Sequence, residues 1–254
     1  MSGSTHEDVA RSASPAVPIC VKRLSPDDLP AAGRWDAFVE RCPQATFFHR
    51  AAWQRILREV FGHRTHFLFV ERAGVVEGVL PLAQVKSLLF GNSLVSLPFA
   101  VYGGIAASDT AAADALEREA QALARQLGVG HLEFRNICPR HPEWPRQDLY
   151  VRFRKEIAPE VEANLLAIPR KQRAMVRKGI KNGLRSEIDH DTGRFFALYA
   201  DNVHRHGTPA MPKRYFDALQ DAFADDCELL TVVDAGGRPL SSVLSFYFRD
   251  EVLP

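Results

Sequence analysis

Trp53-Gln-Arg-Ile-Leu-Arg-Glu-Val-Phe-Gly-His-Arg-Thr-His-Phe-Leu-Phe-Val-Glu-Arg-Ala-Gly74 is matched 162 residues later by Tyr215-Phe-Asp-Ala-Leu-Gln-Asp-Ala-Phe-Ala-Asp-Asp-Cys-Glu-Leu-Leu-Thr-Val-Val-Asp-Ala-Gly236. Trp53, Leu57, Phe61, Leu68, Val70, Ala73 and Gly74 fall on Tyr215, Leu219, Phe223, Leu230, Val232, Ala235 and Gly236 without a gap. Each stretch reads as an amphipathic helix, a short apolar strand and a tight Ala-Gly turn. A solenoid would repeat every ~20–50 residues, so this longer spacing points to one domain duplicated. The second copy reaches the equivalent of Asn92 at Pro254, and the second unit is expected to be incomplete.

Working outward from the first copy, Ile19–Leu24 reads as a strand. Pro26-Asp27-Asp28 starts a helix whose apolar face is Trp35, Phe38 and Val39. Phe47 and Phe48 lead into the helix of Trp53, Ile56, Leu57 and Val60, which Gly62 closes. Thr65–Glu71, Val75–Leu88 and Ser93–Phe99 form a meander with turns at Ala73-Gly74 and Gly91-Asn92. Ser108, Asp109 or Thr110 caps a helix striped by Leu116, Ala120, Leu123 and Leu127, and Gly128 ends it. His131–Arg135 is the last strand, giving the order βααβββαβ.

After a proline-rich connector at Pro139–Pro145, Leu149–Ile157 reads as a strand and Asn164–Asn182 as helical, with Pro169 near a helix start. Leu184–Ile188 is a strand, and Thr192–His204 and Lys213–Phe223 are helices. Glu228–Asp234 and Leu240–Arg249 make a hairpin around Ala235-Gly236-Gly237. This second order, βααββ, repeats the first five elements. The domain boundary is expected near Ile157–Val161. The division is then a disordered tail at 1–17, a first domain at 18–158, and the N-terminal half of a second domain at 159–254. The fold class is α/β (α+β), with mixed sheets flanked by helices.

Composition sets bounds. The 254 residues carry a net charge of +1, which argues against a globally basic binder of nucleic acid and against stable DNA binding. No run of ~18 apolar residues predicts a membrane span. The tail lacks a signal-peptide pattern. Cys20, Cys42, Cys138 and Cys227 are scattered and read as reduced thiols of a cytoplasmic protein.

The strongest site signal is Pro169-Arg-Lys-Gln-Arg-Ala-Met-Val-Arg-Lys-Gly-Ile-Lys-Asn-Gly-Leu-Arg185, with seven Lys or Arg and no acid. On a helix, Arg170, Arg173, Arg177 and Lys181 form one stripe, which repels itself and would be relieved by phosphate. The same stripe also reads as an ordinary solvated face. Tyr102, on the glycine-flanked loop Val101–Ile105, suits close approach of a ligand or simply packs in a turn. His204 and His206 end a helix, where cations favour the dipole; His206 is a candidate substrate contact. His63/His66 and His204/His206 lack zinc-ligand spacing, so no metal is expected. Gln126-Leu-Gly-Val-Gly130 has the wrong spacing for a coenzyme A phosphate loop and sits at a helix end, where carbonyls are exposed. The first domain is therefore not expected to bind acyl-coenzyme A, and no bound cofactor is expected.

The βααβββαβ order resembles the GNAT acyltransferase unit. A doubled copy whose second unit opens with Arg-Lys-x-x-Arg-x-x-x-Arg-Lys resembles the FemAB family, from about Trp35 to Pro254. Phe-Phe-His-Arg-Ala-Ala-Trp, Val-Tyr-Gly-Gly and Pro-Arg-Lys-Gln-Arg-Ala-Met-Val-Arg-Lys look closest to the subgroup associated with exosortase and PEP-CTERM exopolysaccharide loci. The resemblance implies tandem GNAT-like units and an N-acyltransferase that moves an aminoacyl or acyl group onto an amine of a cell-envelope or exopolysaccharide precursor. The donor would be aminoacyl-tRNA or acyl-CoA. The acceptor would be a phosphorylated or lipid-linked glycan, met in the cytoplasm or at the inner membrane surface. Peptidoglycan chemistry is the family's best-known setting. By position, Arg173 would contact precursor phosphate, with Lys171 and Arg177 beside it, and Tyr102 and Trp53 would belong to the pocket. Members carry a lysine about one turn after the tryptophan; Leu57 stands there, flanked by Arg55 and Arg58. No catalytic residue can be named, because the family's reacting centre lies in later strands of the second unit. The chain alone is expected to be inactive. The alternative is a non-catalytic binder of phosphorylated glycan or RNA through the helix at 169–185.

Overall fold

The structure is a computed structural model that describes residues 18–87, 91–147 and 149–254. The expected tail at 1–17 lies outside the described residues, as does Leu88. The chain divides into two compact units. The first holds the described residues up to Ala51 together with Thr65–Arg135. The second holds Ala52–Arg64 together with Asn136–Pro254.

In the first unit, β1 (Cys20–Arg23) precedes α1 (Leu29–Arg41). Asp28 caps α1 by accepting from the Ala31 amide at 2.9 Å. Then follow β2 (Arg64–Arg72), β3 (Val75–Ser87), β4 (Gly91–Ser96), a two-residue β5 (Ala106–Ala107), α3 (Thr110–Leu127) and β6 (His131–Glu133). The sheet order is β1-β2-β3-β4-β6, with β5 also on β3; β4 and β6 run parallel. Side chains alternate across β2 as the pleat requires. Phe67 and Phe69 meet Trp35 of α1 at 5.4 and 6.3 Å between ring centroids. Leu68 and Val70 join the opposite core with Leu116, Ala120 and Leu123 of α3. Asp109 is the cap of α3, accepting from Ala112 at 2.7 Å, and Gly128 ends it with φ +59°. A Cβ on Gly78 would lie 3.0 Å from Leu116 Cδ1 and 3.3 Å from the Ala107 side chain, so glycine allows the close packing of β3.

The second unit contains α2 (Trp53–Glu59), α4 (Val161–Ala167), α5 (Arg170–Lys181), β7 (Arg185–Asp189), α6 (Gly193–Arg205), α7 (Lys213–Ala222), β8 (Cys227–Val233), β9 (Pro239–Phe248) and β10 (Glu251–Leu253). Its sheet is antiparallel, in the order β10-β9-β8-β7. The helix α2 lies within the first copy in sequence yet packs on α7. Trp53 meets Phe223 at 5.6 Å, and Phe61 meets Tyr215 at 5.2 Å. Adding 162 turns Trp53 into Tyr215 and Phe61 into Phe223. The two contacts are therefore mates: residue i of one copy touches residue j of the other, and j touches i. That is the signature of an isologous, two-fold contact, here made inside one chain.

Several expectations change. The helical stretch over Asn164–Asn182 is two helices, with the second starting after Pro169 as expected and the first beginning already at Val161, because proline has no N–H and drives the preceding residue out of the helical region. Leu149–Ile157 is not a strand; its hydrophobic alternation is genuine, but no strand of the second sheet pairs with it among the described residues. The second copy continues one element further than expected. β10 pairs with Phe246, Tyr247 and Phe248 of β9, so that part of the edge is covered. Gly91-Asn92 is not the turn: both lie in β4, opposite Ser87 and Lys86. At the second hairpin Gly237, not Gly236, takes the left-handed conformation (φ +83°) that Gly74 takes in the first. A bulge between Val232 and Val233 shifts that hairpin's register.

Candidate functional site

The helix α5 begins at Arg170 and ends in Gly183 (φ +75°), whose turn returns the Leu184 amide to the Gly179 carbonyl at 3.2 Å. It has no buried residue. At about 100° per residue, Arg170, Arg173, Arg177 and Lys181 share an arc of about 80°, with Lys178 and Lys171 on one flank. Met175, Gly179, Val176 and Ile180 fill the arc from Lys171 round to Arg173, with Ile180 next to Arg173. Among the described residues, the side chains of Arg170, Lys171, Arg177, Lys178 and Lys181 have no hydrogen bond or ion pair. Arg173 differs. Its Nη1 donates to the Leu166 carbonyl at 3.0 Å and so caps the C-terminus of α4. The arrangement offers a forked guanidinium and several ammonium groups to an anion without a competing carboxylate.

Tyr102 belongs to the first unit and is half-buried. Its loop is held from several sides. Gly103 and Gly104 both donate to the Arg135 carbonyl, at 3.3 and 3.1 Å. Arg135 donates through Nη1 to the Ala100 carbonyl at 2.6 Å, and its amide donates to Ser96 Oγ at 2.7 Å. His49 is buried; its Nδ1 accepts from the Thr46 amide at 3.0 Å, which leaves Nε2 to donate to the Gly104 carbonyl at 2.9 Å. Leu97 and Phe99, at φ +49° and +69°, carry left-handed backbone that side chains disfavour. The loop is thus a rigid, strained platform for Tyr102. Its glycine amides are already engaged and do not offer an anion hole. His49 and Arg135 are positioning residues that sequence reasoning did not single out; His49 stood in the quoted Phe-Phe-His phrase.

Trp53, expected as a substrate contact, is 2% exposed and packed on Phe223 in the core of the second unit. His206 is exposed at the C-cap of α6, its amide donating to the Asn202 and Val203 carbonyls at 3.2 and 3.1 Å. Lys171, Arg173 and Arg177 share α5, while Trp53 sits on α2 and Tyr102 in the first unit.

The rest of the second unit is braced by charge. Arg194 reaches both Asp189 and Glu187, the latter at 2.7 Å, and Thr231 Oγ1 donates to Asp189 at 2.7 Å. The hydrogen bond from Arg194 holds the Asp189 carboxyl below its ordinary range. Burial pushes the Cys227 thiol up to about 11, which disqualifies it as a thiolate nucleophile near neutral pH. Among the described residues no group of three or more His, Cys, Asp or Glu is placed to hold a metal ion. Nor is any helix long and apolar enough to cross a membrane.

A mixed sheet flanked by helices in the first unit, and a second sheet whose α7–β8–β9 elements repeat the order α2–β2–β3, make an α/β fold with an internal repeat. A solved structure shares this fold. The crystal structure of FemX superposes with a TM-score of 0.55 at 18% identity, covering 84% of this chain and 57% of that one. The fold is therefore similar to that of FemX, and the chain spans little more than half the length of FemX. Also similar, at scores too low to carry an argument, are two others. One is a tandem GNAT protein from the clavulanic acid biosynthesis pathway (13% identity, 90% of this chain and 74% of that one, TM-score 0.44). The other is a GNAT family acetyltransferase from Staphylococcus aureus subsp. aureus USA300_TCH1516 (10%, 55% and 98%, 0.38). No family model and no curated protein matches the sequence.

Proposed function

We propose that the protein is a FemAB-like N-acyltransferase. It transfers an aminoacyl or acyl group from an activated ester, carried by tRNA or coenzyme A, to an amine on a phosphorylated or lipid-linked precursor of the cell envelope or an exopolysaccharide. The observation that carries this reading is α5: a helix whose cationic side chains, Arg173 apart, have no partner among the described residues, free of acid from Ala163 to Ser186, in a fold similar to FemX. The amine attacks the acyl carbonyl, the C–N bond forms, and the tetrahedral intermediate expels the donor's hydroxyl or thiol while the amine loses a proton. Such chemistry needs little from the protein beyond alignment and hydrogen bonds to the developing oxyanion. In this reading Arg177, with Lys171 and Arg173, grips the acceptor's phosphates; Tyr102, on its fixed loop in the first unit, is a separate candidate for contact with substrate.

The test is transfer of labelled acyl groups by the protein purified from its native source. It would be offered aminoacyl-tRNA or acyl-CoA as donor and an amine-bearing nucleotide sugar as acceptor. Label in the acceptor, reduced by Arg177→Ala, supports the proposal. A protein that binds the nucleotide sugar yet transfers label from neither donor leaves only the non-catalytic binder.

A further inference from the structure

The face of α5 between Lys171 and Arg173 exposes its large apolar side chains. Met175 is 63% exposed, Val176 41% and Ile180 66%. The adjoining α4 adds Val161 and Leu166, which are likewise exposed. A second strip of the same unit has the same character: Leu149-Tyr-Val-Arg-Phe-Arg-Lys155, free of acid, with Tyr150 92% and Phe153 91% exposed. This strip is tied to the unit by the ion pair of Arg154 with Glu251 of β10. It runs into a groove of about 370 Å³ between Lys155–Ile157 and α4, and α4 contacts α5. Aliphatic and aromatic side chains thus lie exposed beside cations over one contiguous stretch of chain.

We propose that this surface docks the second unit on an anionic lipid bilayer. The helix α5 would lie in the interface plane with Met175, Val176 and Ile180 among the acyl chains, and Tyr150 and Phe153 would seat at headgroup level. Three observations select that occupant. Lys171 and Lys178 flank one margin of the apolar face and Arg173 the other, the pattern in which cations rise to headgroups while the helix sinks. The excess of cations suits anionic lipid and disfavours a second copy, whose own α5 would repel it. Nucleic acid would engage the cations and stack on the aromatics, but it leaves Leu149, Val151, Met175, Val176 and Ile180 in water. The inference goes beyond the proposed transfer reaction and does not need it.

The experiment is co-sedimentation of the chain with phosphatidylcholine vesicles, with and without phosphatidylglycerol. Binding is expected only with phosphatidylglycerol. Met175→Ser/Val176→Ser/Ile180→Ser should weaken it by roughly tenfold or more, through lost apolar burial. Lys178→Gln should weaken it roughly fivefold. The serine variant should bind a nucleotide sugar as the wild type does, which separates docking from the acceptor site. Because a triple change could perturb the helix, Val176→Trp supplies a second readout: its emission should shift to the blue on phosphatidylglycerol vesicles. The proposal is overturned by absence of binding, by equal binding to both vesicle types, or by serine variants that bind as tightly as wild type. It is also overturned if single-stranded RNA binds with the serine variant as tightly as with wild type and Val176→Trp shows no shift on vesicles.

Discussion

Replacing Trp53 by alanine tests both the duplication and the packing role of this side chain. The indole is 2% exposed and lies 5.6 Å from Phe223, which is itself 1% exposed and 5.9 Å from Phe246 of β9. Truncation opens a cavity bounded by rings that cannot collapse far, so the cost is about 3–5 kcal/mol. Against a domain stability of about 5–15 kcal/mol, this is a large fraction of what holds the second unit together. The aromatic pairing itself is worth about 0.5–1.5 kcal/mol and is isolated by a double-mutant cycle of Trp53→Ala with Phe223→Ala. The pseudo-two-fold mate, Phe61 with Tyr215, should give a coupling of the same sign and size. Urea unfolding followed by circular dichroism measures both cycles. Trp53→Phe, which keeps a ring in the site, should restore much of the stability. Coupling near zero in either cycle would refute the reasoning, as would Trp53→Ala leaving stability intact while abolishing ligand binding.

Two further outcomes follow from the packing. Arg194→Met should make the protein less stable at neutral pH, and the deficit should shrink on acidification. Arg194 depresses the native pKa of Asp189, so its contribution is present above the ordinary carboxylate pKa and is lost as pH falls through the lower native value. Denaturation midpoints measured across the acid range check this, and a deficit that grows toward low pH would contradict it. Gly103→Ala should destabilise the first unit by about 1–3 kcal/mol. An added Cβ would sit 2.6 Å from Leu97 Cβ, which is too near the backbone to move aside. Unchanged thermal stability would show that the Tyr102 loop is looser than its hydrogen bonds indicate.

Local signals were readable in the sequence. The caps at Asp28 and Asp109, the Ala73-Gly74 turn and the stripe of α3 all depend on neighbours within a few residues. Trp53 shows the limit: a pattern reveals that a tryptophan is apolar-facing, but not whether it meets a ligand or Phe223. The crossing of α2 to α7 was hidden because the contacting residues lie far apart in sequence, Trp53 from Phe223 and Phe61 from Tyr215, although the repeat contained both halves of the contact. Leu149–Phe153 alternates as a strand does, yet a strand exists only where a partner offers hydrogen bonds. Ala106-Ala107 and Glu251-Val252-Leu253 are strands for the opposite reason, since β3 and β9 recruit residues with little pattern of their own. The basic helix was legible as a charge pattern; that Arg173 also holds the end of α4 was not.

The central claim, that α5 receives a phosphorylated acceptor, is tested most directly by calorimetric titration of the chain with a uridine diphosphate sugar. Wild type, Arg177→Ala, Arg173→Ala and Tyr102→Phe would be compared, with melting curves alongside. Arg177 has no partner among the described residues, so Arg177→Ala should weaken binding by ~1.5–3 kcal/mol and leave Tm unchanged. Arg173→Ala should weaken binding and also lower Tm, because it gives up the bond to Leu166. Tyr102→Phe should lose less than either. Affinity should fall as salt is raised. Binding by Arg177→Ala as tight as that of wild type, with the only effect of Arg173→Ala a lower Tm, would show that the helix is structural and would contradict the account.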